Sequence, residues 1–149
     1  MSDYPAPAID PASGHVRLHD CLITPATQLS ELPPDFAREP IAQPGQQLVF
    51  AKRHWQNKGV AIEFSLRFEA GVLVSVFIAL EPPEHQNLDS DAFYRSTDER
   101  YAWHQRWLGK QIGTAGHFAW GNIGVARSKS EDVWVYLHNP NNSWGYQRT

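Results

Sequence analysis

Val60-Ala61-Ile62-Glu63-Phe64-Ser65-Leu66-Arg67-Phe68-Glu69 alternates at every step. Val60, Ile62, Phe64, Leu66 and Phe68 fall on one side of an extended chain, and Ala61, Glu63, Ser65, Arg67 and Glu69 on the other. Successive side chains of a strand point to opposite faces, so this period predicts a strand with one face in a core. Turn signals bound it: Lys58-Gly59 before and Ala70-Gly71 after, each with a glycine free to take positive φ. Residues 47–55 and 72–80 are apolar enough to pair on either side, which predicts an antiparallel meander over 46–80. Simple alternation in 72–80 places Leu73 and Phe77 opposite Val72, Val74, Val76, Ile78 and Leu80.

Toward the N-terminus, residues 15–23 alternate and predict a strand, with Val16, Leu18 and Leu22 inward. Residues 24–45 carry Pro25, Pro33, Pro34, Pro40 and Pro44, which predicts irregular chain apart from a turn at 28–32. Its Leu29, Leu32, Phe36 and Ile41 give it apolar points to lay on a sheet. Residues 1–14 read as a loose arm.

Toward the C-terminus, Pro82 and Pro83 end the meander, because proline has no N–H for the ladder. Residues 81–92 read as a polar loop. Ser96 and Glu99 have capping-box spacing, and a helix over 97–112 ends at Gly113. Tyr101, Leu108 and Ile112 form its apolar stripe, Trp103 and Trp107 lie on a flank, and His104 falls between. Residues 118–127 and 133–138 predict a closing hairpin, followed by an irregular tail at 139–149 with Trp144 and Tyr146. The expected fold is α+β in one domain over 1–149: about six mostly antiparallel strands, with one main helix between the fourth and fifth.

Length and composition agree with a globular chain of 149 residues, 42% of them hydrophobic. A net charge of −3 excludes a generally basic nucleic-acid binder. Cys21 is the single cysteine, so no intrachain disulfide forms. The acidic, proline-rich start is no secretory signal, and no apolar run approaches the ~20 residues of a membrane helix, so the expected compartment is the cytoplasm. No zinc, phosphate-loop or nucleophile-elbow motif is present, and no catalytic residue, metal or cofactor is expected. His15 and His19 are too far apart on a strand to share a metal, and a Cys21–His19 pair lacks a motif that fixes a base near the thiol. His104, His117 and His138 could converge only through the fold.

The remaining signals concern surfaces. Residues 81–99 hold Glu81, Glu84, Asp89, Asp91, Asp98 and Glu99 against a single cation, Arg95, for a net −5. Such a run is a solvated loop or a negative patch that steers a basic partner. Tyr94, Trp103 and Trp107 are its candidate anchors. Trp134, Tyr136 and His138 alternate on the second sheet face, so a second candidate surface lies there, covered by residues 24–45, by a partner or by a second copy of the chain.

Trp107-Leu108-Gly109 followed by Phe118-x-Trp120-Gly121-x-Ile123 resembles the immunity proteins of bacterial type VI secretion toxin–immunity pairs. The likeness covers roughly residues 98–137. It departs at the last turn, where Ser128-Lys129-Ser130-Glu131-Asp132 stands in place of the family's Asp-Lys-Gly-Gly. The resemblance implies a non-enzymatic protein that binds and neutralises a cognate toxin. A cytosol-acting toxin such as a nuclease, with its basic cleft, suits the acidic segment. Two alternatives stay open: a small-ligand-binding domain or small enzyme with a histidine-lined pocket including Trp134, and a homodimeric structural protein.

Overall fold

The alternating stretch lies at the middle of a meander inside a larger sheet. The computed structural model describes residues 3–43 and 46–142. β1 (Ala8–Ile9), β2 (Val16–Arg17) and β3 (Leu22–Ile23) form a small antiparallel sheet. β4 (Ala37–Gln43), β5 (Gln46–Asn57), β6 (Val60–Glu69), β7 (Val72–Glu81), β8 (Gly116–Phe118), β9 (Gly121–Arg127) and β10 (Val133–His138) form a second. Its order is β4-β5-β6-β7-β10-β9-β8, and every neighbouring pair is antiparallel. Helices α1 (Ser90–Arg95) and α2 (Thr97–Ile112) lie between β7 and β8. The class is α+β with antiparallel sheet. The described residues hold ten strands rather than about six, and the main helix follows the seventh strand, not the fourth. None of these helices is long and apolar enough to cross a membrane.

The inward face of β6 supplies Ile62, Phe64, Leu66 and Phe68, all buried. Against it pack Trp55, Val76, Ile78 and Leu80 from β5 and β7, with Val133, Val135 and Leu137 from β10. Burying each large apolar side chain contributes about 1.5–3 kcal/mol, so this face dominates stability. Leu73 joins it, against expectation. Phe68 pairs with Leu73 but Arg67 pairs with Ser75, so Val74 is an extra residue that flips the alternation.

Part of the expected irregular segment also lies on this face: Leu32 and Phe36 are buried in the core, and the Phe36 ring meets Phe64 edge-on at 6.3 Å. These two side chains therefore serve the core face and not the face that carries Trp134 and Tyr136. Residues 37–43 are a strand despite Pro40, because β4 is an edge strand and needs no N–H on its outer side. The alternation in 15–23 is two short strands: Leu18 N–H donates to the Cys21 carbonyl across a hairpin, which takes His19 and Cys21 off any strand face. Residues 118–127 are likewise broken, by a turn at Ala119-Trp120.

Residues 3–14 are tied down rather than loose. Tyr4 N–H donates to the Gln56 carbonyl at 2.9 Å, Trp55 Nε1 to the Pro5 carbonyl at 3.0 Å, and Ile9 N–H to Gln111 Oε1 at 2.9 Å. The Trp120 ring lies on Gly14, where a Cβ would enter the indole, and its Nε1 donates to the Pro11 carbonyl at 2.9 Å. Trp144 and Tyr146 lie outside the described residues.

α2 has its expected bounds and ends at Gly113 with φ 86°. Its N-terminus differs. Ser96 makes no capping-box bond, because α1 runs directly into α2 and the Ser96 N–H bonds the Ala92 and Phe93 carbonyls. The first cap sits earlier, where Asp89 accepts from Ala92 N–H at 2.8 Å. The expected polar loop over 81–92 therefore contains a 3-10 turn, Pro83–His85, and the start of α1.

Candidate functional site

β7 outruns its neighbour. Its ladder with β10 begins at Ile78–Val135, which leaves the Leu80 N–H without a strand partner. His104 fills the gap: Leu80 N–H donates to Nε2 at 3.1 Å, and Nδ1–H donates to the Arg100 carbonyl at 2.7 Å. A backbone N–H on Nε2 fixes the proton on Nδ1 and keeps the ring neutral. Burial holds its pKa below the usual histidine value. With both nitrogens engaged, His104 is a structural plug rather than a proton carrier.

A cavity of about 600 Å³ opens beside this gap. It draws on both faces, with Ile62, Leu80 and Val133 from the core side. Small side chains make its floor: Ala61, Ser65 and Ala79. Phe50, Phe77, Phe93 and Trp134 wall it, Lys52, Glu63, Glu81, Arg100 and Asp132 bring charge to it, and His54 adds an imidazole. Lys52 lies 3.6 Å from Glu39, and His54 3.8 Å from Glu63.

Arg100 is the unusual member, at 5% exposure. Its Nε donates to Ser96 Oγ at 2.9 Å, and its Nη2 donates to the Phe93 carbonyl at 2.9 Å and to Thr97 Oγ1 at 3.1 Å. The guanidinium lies 4.0 Å from the Phe93 ring centroid. The cation thus caps the last turn of α1. Among the described residues it has no carboxylate in ion-pair contact, and Nη1 makes no hydrogen bond. Burial pulls its pKa below the usual arginine value, while Asp132, Glu131 and Glu81 act from further off to raise it.

These carboxylates mark an acidic end of the molecule. The end of β7, the end of β9 and the start of β10 lie at the same end of the sheet, where Val133 pairs with Arg127. Glu81, Glu84, Asp89, Asp91, Asp98 and Glu99 are all exposed. Asp98 accepts from Arg127 Nη1 at 2.9 Å, and Glu99 lies 3.6 Å from Nε2 of the buried His85. Glu81, Glu84, Asp89 and Asp91 form no ion pair with a described cation. Tyr94 is 55% exposed beside them. Trp103 and Trp107 are half-buried and packed against the core, so their indoles serve α2 more than a surface.

The other expected residues disperse. Trp134 lines the cavity, whereas Tyr136 lies over Gly124, leaving no room there for a Cβ. His138 sits 2.7 Å from Ser75 Oγ, and Asn142 Nδ2 donates to that hydroxyl at 2.8 Å. Ser75 is fully buried, so this pair is out of reach of a substrate. His117 is exposed, with Nδ1 2.6 Å from Asn122 Oδ1. The cavity thus unites His104 and Trp134 but neither His117 nor His138. Burial, helped by Asp20, pushes the Cys21 thiol up to about 11, which makes it a poor nucleophile. Among the described residues no three His, Cys, Asp or Glu side chains gather to hold a metal ion.

Sequence reasoning missed Arg100, Phe93 and the small-residue floor. One signal was present: Ala61, Ser65 and Ala79 are small positions on otherwise bulky or charged strands. Compared with protein-family models, with curated proteins and with solved structures, the chain matches none.

Proposed function

We propose that the chain is an immunity protein, which binds a cognate toxin through the acidic end built by residues 81–99 and the turn at 128–132. One observation carries this reading: Glu81, Glu84, Asp89 and Asp91 are all exposed within residues 81–91, and none forms an ion pair with a described cation. A solvated, unneutralised patch costs folding little and raises the encounter rate with a basic surface. Tyr94, on the same helix as Asp91, supplies an exposed aromatic contact. Such a role needs complementarity and no reacting group. The Phe118-x-Trp120-Gly121-x-Ile123 motif serves the scaffold here: Phe118 stacks on Trp120 at 4.8 Å, and Ile123 is fully buried.

The test uses the stoichiometric toxin partner isolated from the native cell. Glu84→Lys and Asp91→Lys reverse two charges, and Asp89→Asn removes a third while keeping an N-cap residue. The triple variant is expected to bind at least tenfold more weakly, mostly through slower association, and to lose the salt dependence of the native rate. Unchanged affinity and unchanged salt dependence remove the acidic end from the interface.

A further inference from the structure

The cavity lined by β5, β6, β7, β10 and the α1–α2 junction has its own chemistry, although it shares Glu81 and Asp132 with the proposed docking surface. Three observations define what fits. A buried guanidinium has five N–H donors. Nε and Nη2 of Arg100 are engaged, so the two on Nη1 remain for a ligand. A buried cation without a counter-ion is costly, and a carboxylate on Nη1 would supply one.

The cavity is nevertheless not a plain anion site. Glu81 and Asp132 line it and act on Arg100 electrostatically, yet neither is in ion-pair contact with it. A bare anion meets those two carboxylates, and a bare cation meets Arg100. Lys52 and Glu63 stand toward Glu39 and His54, 3.6 and 3.8 Å away. The charges that act on one another at the Arg100 end of the cavity are this one cation and the two carboxylates, Glu81 and Asp132. Beside them are Trp134 and Phe77, over the small floor residue Ala79. A volume of about 600 Å³ falls in the usual range for small-ligand sites.

We propose that this cavity binds a free α-amino acid with a large apolar or aromatic side chain. Its carboxylate accepts from Arg100 Nη1, its ammonium faces Glu81 and Asp132, and its side chain lies over Ala79 between Phe77 and Trp134. The α-amino acid is the smallest ligand class that answers both charges and the aromatic walls together.

Titration calorimetry on the full chain, without any partner, tests this. L-phenylalanine, L-tryptophan and L-leucine are the probes, with 3-phenylpropanoate lacking the ammonium and 2-phenylethylamine lacking the carboxylate. At least one amino acid is expected to bind at one per chain, and each truncated analogue at least tenfold more weakly than L-phenylalanine. No saturable heat with any of the three amino acids overturns the proposal, and so does an analogue that binds as tightly as L-phenylalanine. Arg100→Gln is expected to abolish binding. Because Arg100 also caps α1, Ala79→Leu provides a second variant that fills the floor and leaves the helix junction intact. It is expected to weaken binding at least tenfold with an unchanged circular dichroism spectrum. Native affinity in folded Ala79→Leu removes the ligand from this cavity.

Discussion

Arg53 and Arg100 are buried to the same degree, 4% and 5% exposed, and are treated in opposite ways. Arg53 sits between two carboxylates. Its Nη1 and Nη2 donate to Asp20 at 2.8 and 2.6 Å, and its Nε and Nη2 donate to Asp35 at 2.9 and 2.8 Å. Phe36 lies under it at 4.8 Å. Asp20 belongs to the β2–β3 turn and Asp35 to the stretch before β4, so one side chain on β5 staples two N-terminal segments to the sheet. Arg100 is held by two hydroxyls and a carbonyl, with a cavity instead of a carboxylate beside it. The difference teaches that burial alone does not say what a charge is for. Full neutralisation marks a structural joint, and a charge left unanswered beside space marks a binding site.

The largest effect should come from cutting the staple. Arg53→Met removes four charged hydrogen bonds and leaves two carboxylates to rehydrate at the surface. Urea unfolding should show a loss of about 2–4 kcal/mol, toward the low end because Asp35 is 62% exposed. Arg100→Met should cost less, about 1 kcal/mol, since relief of an uncompensated buried cation offsets its lost hydrogen bonds. Equal losses in the two variants would break the comparison.

The acid limb of stability sharpens it next. The Arg53 guanidinium draws the Asp20 carboxyl from 3.8 down to about 2, and lowers Asp35 as well. A depressed folded pKa means that the unfolded chain binds the proton first. The stabilisation is therefore whole above about pH 4 and is lost as pH falls toward 2. With Asp20 35% exposed, solvent screening brings its share to about 1 kcal/mol. Asp20→Asn should flatten the stability profile between pH 4 and 2, and a slope equal to the native one would mean the staple carries no charge linkage.

His104 provides a neutral counterpart on the Arg100 side. Its folded pKa is depressed by burial, so the unfolded chain takes the proton as pH falls below about 6.5. Its contribution is complete above that pH and declines below it. His138, also lowered by burial, adds a slope of the same sign. Unfolding free energies at pH 7.5 and 5.5 should differ less in His104→Gln than in the native chain. An identical difference would transfer the effect to His138.

The two regions also differ in how far the sequence discloses them. The meander was legible because β6 alternates without a defect and Lys58-Gly59 and Ala70-Gly71 take the positive φ its turns require. The Leu73 face was not, since a one-residue bulge at Val74 leaves no mark in composition. β4 was hidden by Pro40, harmless only because the strand is an edge. The helix was placed correctly, but its buried stripe is Thr97, Arg100, His104 and Leu108. That spacing is helical, yet three of the four side chains are polar, so a reading keyed to apolar residues chose Tyr101, Leu108 and Ile112. The cavity lies beside the point where the β7–β10 ladder stops at Ile78–Val135, a pairing length that no single segment encodes. The acidic end was legible as charge, although the arrival of the β9–β10 turn at the same end of the sheet was not.

The smallest expected effect concerns that acidic end, and its smallness is informative. Glu84 and Asp91 touch no described cation, so Glu84→Lys and Asp91→Lys should each change the unfolding free energy by less than about 0.5 kcal/mol. Glu84→Lys should if anything stabilise by relieving repulsion within residues 81–99, whereas in Asp91→Lys that relief is offset by losing an acid from the first turn of α1. Reversing Asp98 should cost more, since its carboxylate accepts from Arg127 and lies in the first turn of α2. A measured order of Asp98→Lys above Asp91→Lys in stability loss, with Asp91→Lys above Asp98→Lys in loss of partner affinity, would separate folding from binding within one charged segment. That separation is the surface analogue of Arg53 and Arg100: the answered charge holds the fold, and the unanswered one is left for what binds.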